Sequence, residues 1–343
     1  MHSEELWTAR TLQARALRAL LTPLSWLYAV GWQCYLGIYR LGLKKPKEPH
    51  RPVVCVGNLQ VGGTGKTPVT VHIADVLREM GWRVVISSSG YGSNASEAAR
   101  IAPDGELRAA EWGDEASLIR WLRPEIPLIV GRRRVLAAEL CHEHFPDALL
   151  LLDDGFQHLP LKKHVTIILD PPQLNRRCLP AGPYREPWAN RKRADALISR
   201  FGSQERSPAP ERPGSTDESR WPAVWVETKE LAFQGPDGKP RILAKPFSVL
   251  CALARPRGFL DSLKARGLDP DAVVARPDHD PLTDGNLLAG LPSGRPIVVT
   301  GKDWVKLRDR PGVEEFDILI ADREVSIEPH DVFRTWLRDK LGR

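Results

Sequence analysis

Cysteine is scarce in this chain of 343 residues, and what there is forms no pattern. Cys34, Cys55, Cys141, Cys178 and Cys251 are odd in number and widely spaced, with no CxxC pair and no Cys/His cluster. That excludes a disulfide-stapled secreted domain and a zinc site, and the five read as buried thiols of a reducing cytoplasm. A strong charge of one sign is missing too. Against 43 Asp+Glu stand 49 Lys+Arg, a net +6, and no basic stripe is interleaved with aromatics, so nucleic acid is not an expected partner. Internal repeats are absent. The 42% of hydrophobic residues and the length suit one large α/β domain with a smaller one.

Charge is also lacking over one particular stretch. From Ala19 to Tyr39, "ALLTPLSWLYAVGWQCYLGIY", no charged residue occurs, roughly the 20 residues that a bilayer-crossing helix needs. Arg10, Arg15 and Arg18 precede it and Arg40, Lys44 and Lys45 follow. The run is too long for a signal-peptide core, and no A-x-A-like site comes after it. Tyr28, Trp32, Tyr35 and Tyr39 share one helical face along its whole length, whereas a spanning helix keeps Trp and Tyr at its two ends. With Pro23 and Gln33, this points to a helix lying in the membrane interface, its basic residues against anionic headgroups. A full span and a helix buried in the protein's own core are the alternatives.

Past the basic linker "KKPKEPHRP", short apolar runs alternate with helical stretches. Strands are expected at Val53–Val56, Val84–Ser87, Leu128–Val130, Ala148–Leu152, Val165–Leu169 and Ala196–Ser199. Continuous apolar strands between helices imply a mostly parallel sheet covered on both faces. "GSQERSPAPERPGSTDESR", Gly202–Arg220, reads as a linker, and "PDG" in the following alternating stretch as a hairpin turn. Further strands at Phe247–Leu253, Ile297–Thr300 and Phe316–Ile320 suffice for a second, smaller α/β unit. The expected layout is a membrane-associated helix in 1–45, a phosphate-loop domain in 46–202, a linker with β-ribbon in 203–245 and a smaller domain in 246–343.

"VVCVGNLQVGGTGKTP", Val53–Pro68, has the makings of a phosphate-binding loop, yet Gln60 stands where the strict pattern has its first Gly. The chemistry asks for a tight loop after a strand, with backbone N–H groups turned inward and a helix N-terminus behind it. Both elements are expected here. Val69, Ile73, Val76, Leu77 and Met80 share a helical face, Pro68 suits its first turn and Gly81 stops it. Gln60, Val61, Gly62, Gly63, Thr64, Gly65, Lys66 and Thr67 are thus the candidate nucleotide site, Lys66 for the β/γ-phosphates and Thr67 for Mg²⁺. "ALLLLDDGFQH", Ala148–His158, ends an apolar strand in two acids, so Asp153 and Asp154 are candidates to stand beside the metal.

With these stretches stand "PLSWLY", "SSGYG", "GDEA", "VGRRR", "LPAGPYREP", "RADALI", "ARPRGF", "PDHD" and "TGKDWVKL". In this combination and order the chain resembles the tetraacyldisaccharide 4'-kinases, the lipid A kinases of Gram-negative bacteria. In that family the residue at the Gln60 position is not Gly either. The resemblance implies a phosphate-loop α/β kinase with a smaller α/β domain and a membrane-associated N-terminal helix. It implies transfer of the ATP γ-phosphate, with Mg²⁺, to the 4'-hydroxyl of a tetraacylated glucosamine disaccharide 1-phosphate, at the cytoplasmic face of the inner membrane. It assigns Asp114 as the base, Glu115 near the metal and His279 as its partner, a pairing with which a carboxylate can be oriented and tuned. Tyr91, Arg132, His158 and Arg185 match positions close to nucleotide or substrate, and Arg185 with Glu186 could instead be structural.

Three departures stand out: Ser89 where the family usually has Arg, Gly301 where it has Glu, and Arg133 where Asp is common. Arg132–Arg134 are available to compensate for the missing Arg. Lys66, Thr67, Asp114, Asp153 and Asp154 are all in place, so activity is expected. The rival readings are a membrane-attached ATPase switch, which would need a signature Lys absent from "LQVGG", and a scaffold that has lost catalysis.

Overall fold

The computed structural model describes residues 3–9, 11–93, 97–171, 174–201, 221–284 and 286–342. The expected linker Gly202–Arg220 lies outside them. In chain order the helices are α1 Ser3–Thr8, α2 Leu12–Arg40, α3 Lys66–Glu79, α4 Ala109–Trp112, α5 Asp114–Leu122, α6 Arg134–His144, α7 Pro256–Lys264, α8 Asn286–Ala289, α9 Gly301–Leu307 and α10 His330–Leu341. The strands are β1 Val53–Asn58, β2 Arg83–Ser88, β3 Arg100–Ile101, β4 Leu128–Val130, β5 Ala148–Asp153, β6 Val165–Leu169, β7 Ala196–Phe201, β8 Trp225–Gln234, β9 Ser248–Ala252, β10 Ala272–Arg276, β11 Ile297–Thr300 and β12 Ile318–Glu328. The chain divides into two compact units, Met1–Val84 with Cys141–Glu227 and Ser326–Arg343, and Val85–Leu140 with Thr228–Val325.

In the first unit β1 lies between β5 and β6, all parallel, and β7 continues the sheet beyond β6, also parallel. Every residue of β1, β5 and β6 is buried, which is why their sequences are unbroken apolar runs. α3 buries Val69, Ile73, Val76 and Leu77 and stops before Gly81 at φ +85°, as its pattern predicts. Gly57 lets the chain after β5 come close, since a Cβ there would sit 2.6 Å from that of Phe156.

α2 belongs to this unit and buries Ala14, Ser25 and Leu36 on its inner face. Its aromatic row turns partly inward as well: Trp32, Tyr35 and Tyr39 are half-buried and pack edge to face, centroids 5.7 and 5.5 Å apart, and Tyr28 bonds to the protein. The outward stripe is made of leucines, Leu17, Leu20, Leu24 and Leu27, with Val30 beside it. The aromatic row that suggested an interfacial helix is thus partly covered by the protein, and the leucine face is an exposed one. Among the described residues no helix is long and apolar enough to cross a membrane. Cys34 is exposed on α2, unlike the other four cysteines, which are buried. That corrects the expectation of five buried thiols; burial pushes the thiols of Cys141 and Cys178 up to about 11.

The second unit is also α/β. β2 pairs with β4 in parallel and β3 with β4 antiparallel, while β10, β9, β11 and β12 form a parallel set in that order. One apolar cluster gathers Leu250, Val299, Trp304, Leu307 and Ile320, another Phe247, Phe259, Leu263 and Leu319. The "PDG" turn closes as a hairpin, Gly235 N donating to Lys239 O and Arg241 N to Phe233 O, with Gly238 at φ +73°. A mostly parallel α/β architecture flanked by helices, the expected class, is what the chain adopts.

Candidate active site

The phosphate loop joins β1 to α3 in the first unit. Gly62 at φ +93° and Gly65 at φ +76° adopt the left-handed backbone that glycine enters at little cost. No side chain caps the N-terminus of α3, so its dipole is open to an anion. Gln60 is fully buried and outside the left-handed region; its amide donates to Pro171 O at 3.1 Å, and its backbone pairs antiparallel with Tyr184. Glycine is therefore unnecessary at this position, which braces the loop from behind.

Lys66 and Thr67 are both buried at the start of α3. The Thr67 hydroxyl donates to Asp153 Oδ2 at 3.1 Å and Thr70 one turn on donates to Oδ1 at 2.8 Å. A hydroxyl whose proton is spent on a carboxylate keeps its lone pairs for a hard cation, so this pair fits Mg²⁺. Asp154, at φ +55°, lies instead 2.9 Å from Arg185 Nη1 and 3.6 Å from Lys66 Nζ. Of the two acids, Asp153 faces the threonines and Asp154 the cations. Glu186 is fully buried and accepts from Gln157, Asn190 and Arg193, a structural knot. The carbonyl of His158, half-buried after β5, holds Lys163 Nζ at 2.6 Å.

The second unit carries the candidate acid–base residues. Asp114 opens α5 behind Gly113, whose φ of +87° strains any side chain and where a Cβ would stand a tight 3.2 Å from Tyr91 O. His279 sits in a turn at φ +61°, its Nδ1 2.9 Å from Asp114 Oδ2. The Lys302 ammonium lies 3.3 Å from the same oxygen and 2.9 Å from Asp278 Oδ1. Burial pushes the Asp114 carboxyl up, but the His279 hydrogen bond and the Lys302 charge outweigh it and hold it well below the carboxylate range. The bond to Asp114 raises His279 against burial and the Lys302 charge. Burial lowers Lys302, and the charges of Asp114 and Asp278 raise it further than that.

Tyr91, exposed, places its ring 5.4 Å from that of His279, and the Arg132 guanidinium stands 5.8 Å from the Tyr91 ring. Glu115 follows Asp114 on α5 and donates its N–H to Asp114 Oδ1. Thus Asp114, His279, Tyr91 and Arg132, far apart in sequence, converge in this unit. Arg134 is buried, bonded to Ser87 Oγ and Gly131 O, and so cannot substitute for the Arg that Ser89 replaces. Gly301 has a local reason: a Cβ there would meet Trp121 Cζ3 at 2.9 Å, so its absence lets α5 and α9 pack closely.

Lys302, Asp278, Thr70 and Gln157 escaped the sequence reading. Thr70 was findable, falling one helical turn after Thr67; Lys302 was not, because nothing in "TGKDW" says which carboxylate it meets. Among the described residues no group of three or more His, Cys, Asp or Glu is gathered for a metal ion. Thr67 and Asp153 would therefore share Mg²⁺ with phosphate oxygens and water, the usual arrangement for this ion.

The model of the tetraacyldisaccharide-1-P 4'-kinase family, LpxK, matches residues 17–342. The tetraacyldisaccharide 4'-kinase of Pelobacter propionicus is 36% identical over 318 residues, 90% of this chain and 86% of that protein. That of Acidovorax sp. is 37% identical over 296 residues, 85% and 83% of the two chains. Among solved structures, LpxK from Aquifex aeolicus in complex with ATP superposes with a TM-score of 0.76 at 27% identity, covering 95% of this chain and 99% of that one.

Proposed function

The chain belongs to the tetraacyldisaccharide 4'-kinase family and is an ATP-dependent phosphotransferase of lipid A biosynthesis; we propose which residues divide that work. The phosphate loop holds the nucleotide, with Lys66 and the N-terminus of α3 on its phosphates. Mg²⁺, held by Thr67 and Asp153, would neutralise charge developing between the β- and γ-phosphates. Asp114, oriented by His279, accepts the proton of the sugar hydroxyl as that oxygen bonds to phosphorus. Tyr91 and Arg132 flank the pair as substrate contacts. Arg185 keeps Asp154 from capturing Lys66.

The observation that carries this reading is the 2.9 Å contact between His279 Nδ1 and Asp114 Oδ2, in a chain that also has Thr67 bonded to Asp153. A carboxylate that low in proton affinity is a weak base. It suffices because the phosphoryl-transfer transition state is loose, with little bonding to the attacking oxygen, so the hydroxyl gives up its proton to Asp114 late. Labelled ATP and an acylated disaccharide 1-phosphate should place label in the lipid with wild type. Asp114→Ala and His279→Ala should each lower turnover at least about 100-fold while ATP still binds; near-normal turnover in either removes that residue from its role. ATP hydrolysis with no label in lipid would restore the switch reading.

The second part of the proposal concerns location. The exposed Leu17, Leu20, Leu24 and Leu27, with Arg15, Arg40, Lys44 and Lys45 also exposed, suit a helix lying on an anionic lipid surface, the cytoplasmic face of the inner membrane. A lipid substrate would be met there without leaving its membrane.

A further inference from the structure

The segment Cys178–Asn190 is gripped on two sides within the first unit. On one side it pairs with the residues that lead into the phosphate loop: Arg185 N donates to Leu59 O at 2.7 Å, Val61 N donates to Pro183 O at 2.9 Å, and Gln60 bridges to Tyr184. On the other side α2 holds it by three side chains. Tyr28 OH donates to Arg185 O at 2.7 Å, Ser25 Oγ accepts from Ala181 N at 2.9 Å, and Gln33 Nε2 donates to Asn190 Oδ1 at 3.0 Å. Arg185 therefore has its N–H on the loop, its carbonyl on α2, and its guanidinium on Asp154.

We propose that Ser25, Tyr28 and Gln33 are positioning residues of the nucleotide site, and that α2 sets phosphate-loop geometry in addition to any part it plays at a membrane. Asp154 stands between two cations, Arg185 at 2.9 Å and Lys66 at 3.6 Å. While the segment is held, Arg185 takes most of that carboxylate and leaves Lys66 for the phosphates. When Arg185 drifts, Asp154 competes for Lys66, and the backbone ladder that fixes Leu59–Val61 loosens with it. Ser25 lies on the buried face of α2 and Gln33 points away from the leucine stripe, while Tyr28 borders it one turn after Leu24 with its hydroxyl turned to Arg185 O, so the two jobs of the helix are separable by changing the hydroxyl or amide and not the leucines. The proposal rests on the phosphate loop being the ATP site.

The test uses the full chain with Tyr28→Phe, which deletes one partly exposed hydroxyl and keeps the ring, and with Tyr28→Phe/Gln33→Leu. Losing hydrogen bonds of ordinary net strength should weaken ATP about 3- to 10-fold in KM and in direct titration with a fluorescent ATP analogue. kcat at saturating ATP should stay within about twofold, because no group that touches the reacting atoms has changed. Sedimentation with anionic vesicles of phosphatidylglycerol and phosphatidylethanolamine should be unchanged, and Leu24→Glu should show the converse, weaker vesicle binding with normal ATP affinity. Lys66→Ala serves as the control on the premise: if it binds the analogue normally, the loop is not the ATP site. If Lys66→Ala loses the analogue while both Tyr28 variants bind it like wild type, the positioning role is overturned. Loss of ATP affinity only in parallel with vesicle binding overturns it equally.

Discussion

Lys302→Met removes an ammonium and keeps its apolar stem, and its cost should depend on pH with a defined sign. In the folded chain that ammonium faces Asp114 Oδ2 at 3.3 Å and Asp278 Oδ1 at 2.9 Å, with only 19% of its side chain exposed. At an effective dielectric of about 20, a pair at that range is worth about 5 kcal/mol before desolvation is charged against it. Leaving buried carboxylates without their cation typically costs about 3–5 kcal/mol. His279 shares Asp114 with Lys302, and its charge changes with pH. Its pKa is raised in the fold, so the stability it contributes is complete below its unfolded value near 6.5 and is lost as pH rises through the folded value. Lys302 depresses that folded value, so removing it lets His279 rise further. Linkage then makes the substitution costlier in alkali than in acid, by about 1.4 kcal/mol for each unit that His279 rises. Urea unfolding of wild type and variant at about pH 5.5 and about pH 9, followed by Trp fluorescence, reads the difference; the chosen values bracket an ordinary His. A cost that is equal at both, or larger in acid, would refute the claim that Lys302 and His279 compete for one carboxylate.

Other substitutions separate the remaining roles. Asp153→Asn should lower turnover at least about 100-fold and raise the Mg²⁺ needed for half-maximal rate, since the amide no longer accepts from both threonines as a charge; unchanged Mg²⁺ dependence would count against Thr67 and Asp153 as the metal's partners. Gly301→Glu, which installs the residue usual in the family, should destabilise by about 1–3 kcal/mol because its Cβ would meet Trp121 at 2.9 Å. A companion Trp121→Ala should relieve part of that cost, and thermal unfolding of the two variants decides it. Leu24→Glu/Leu27→Glu should lower vesicle binding at least about tenfold, with stability within about 0.5 kcal/mol of wild type because both sites are exposed; unaltered sedimentation would remove the leucine stripe from the membrane.

The parallel strands were legible because burial on both faces writes them as unbroken apolar runs: Leu128–Val130, Val165–Leu169 and Ile297–Thr300 come out with the expected limits. β10 escaped because among the described residues it is an edge strand paired with β9 and is only half-buried, so its short run carries little signal. β12 was read only to Ile320 because Asp322 and Glu324 follow, yet the strand continues to Glu328. The strand, loop and helix of the candidate phosphate site were legible for a local reason, being contiguous. The pairing of Asp114 with His279 spans 165 residues and came only from resemblance. For Lys302 neither route was available: its partners come from α5 and from the turn after β10, and the fold alone brings them together.

The departures from family pattern each have a local structural setting. At Gly301 the lost side chain is replaced by a neighbour, Trp121 filling the space beside α9, and Lys302 next in sequence still reaches both carboxylates. At Ser89 the hydroxyl accepts from Tyr91 N at 3.2 Å, which keeps the turn that presents the Tyr91 ring to His279. The cation lost there is not regained from Arg134, which is buried, whereas the Arg132 guanidinium stands 5.8 Å from the Tyr91 ring. Electrostatic stabilisation is the larger part of phosphoryl transfer, and positioned cations supply it. Arg132 should therefore matter more in this chain than in relatives that keep the Arg at position 89. Arg132→Ala with Ser89→Arg should then recover activity that Arg132→Ala alone loses.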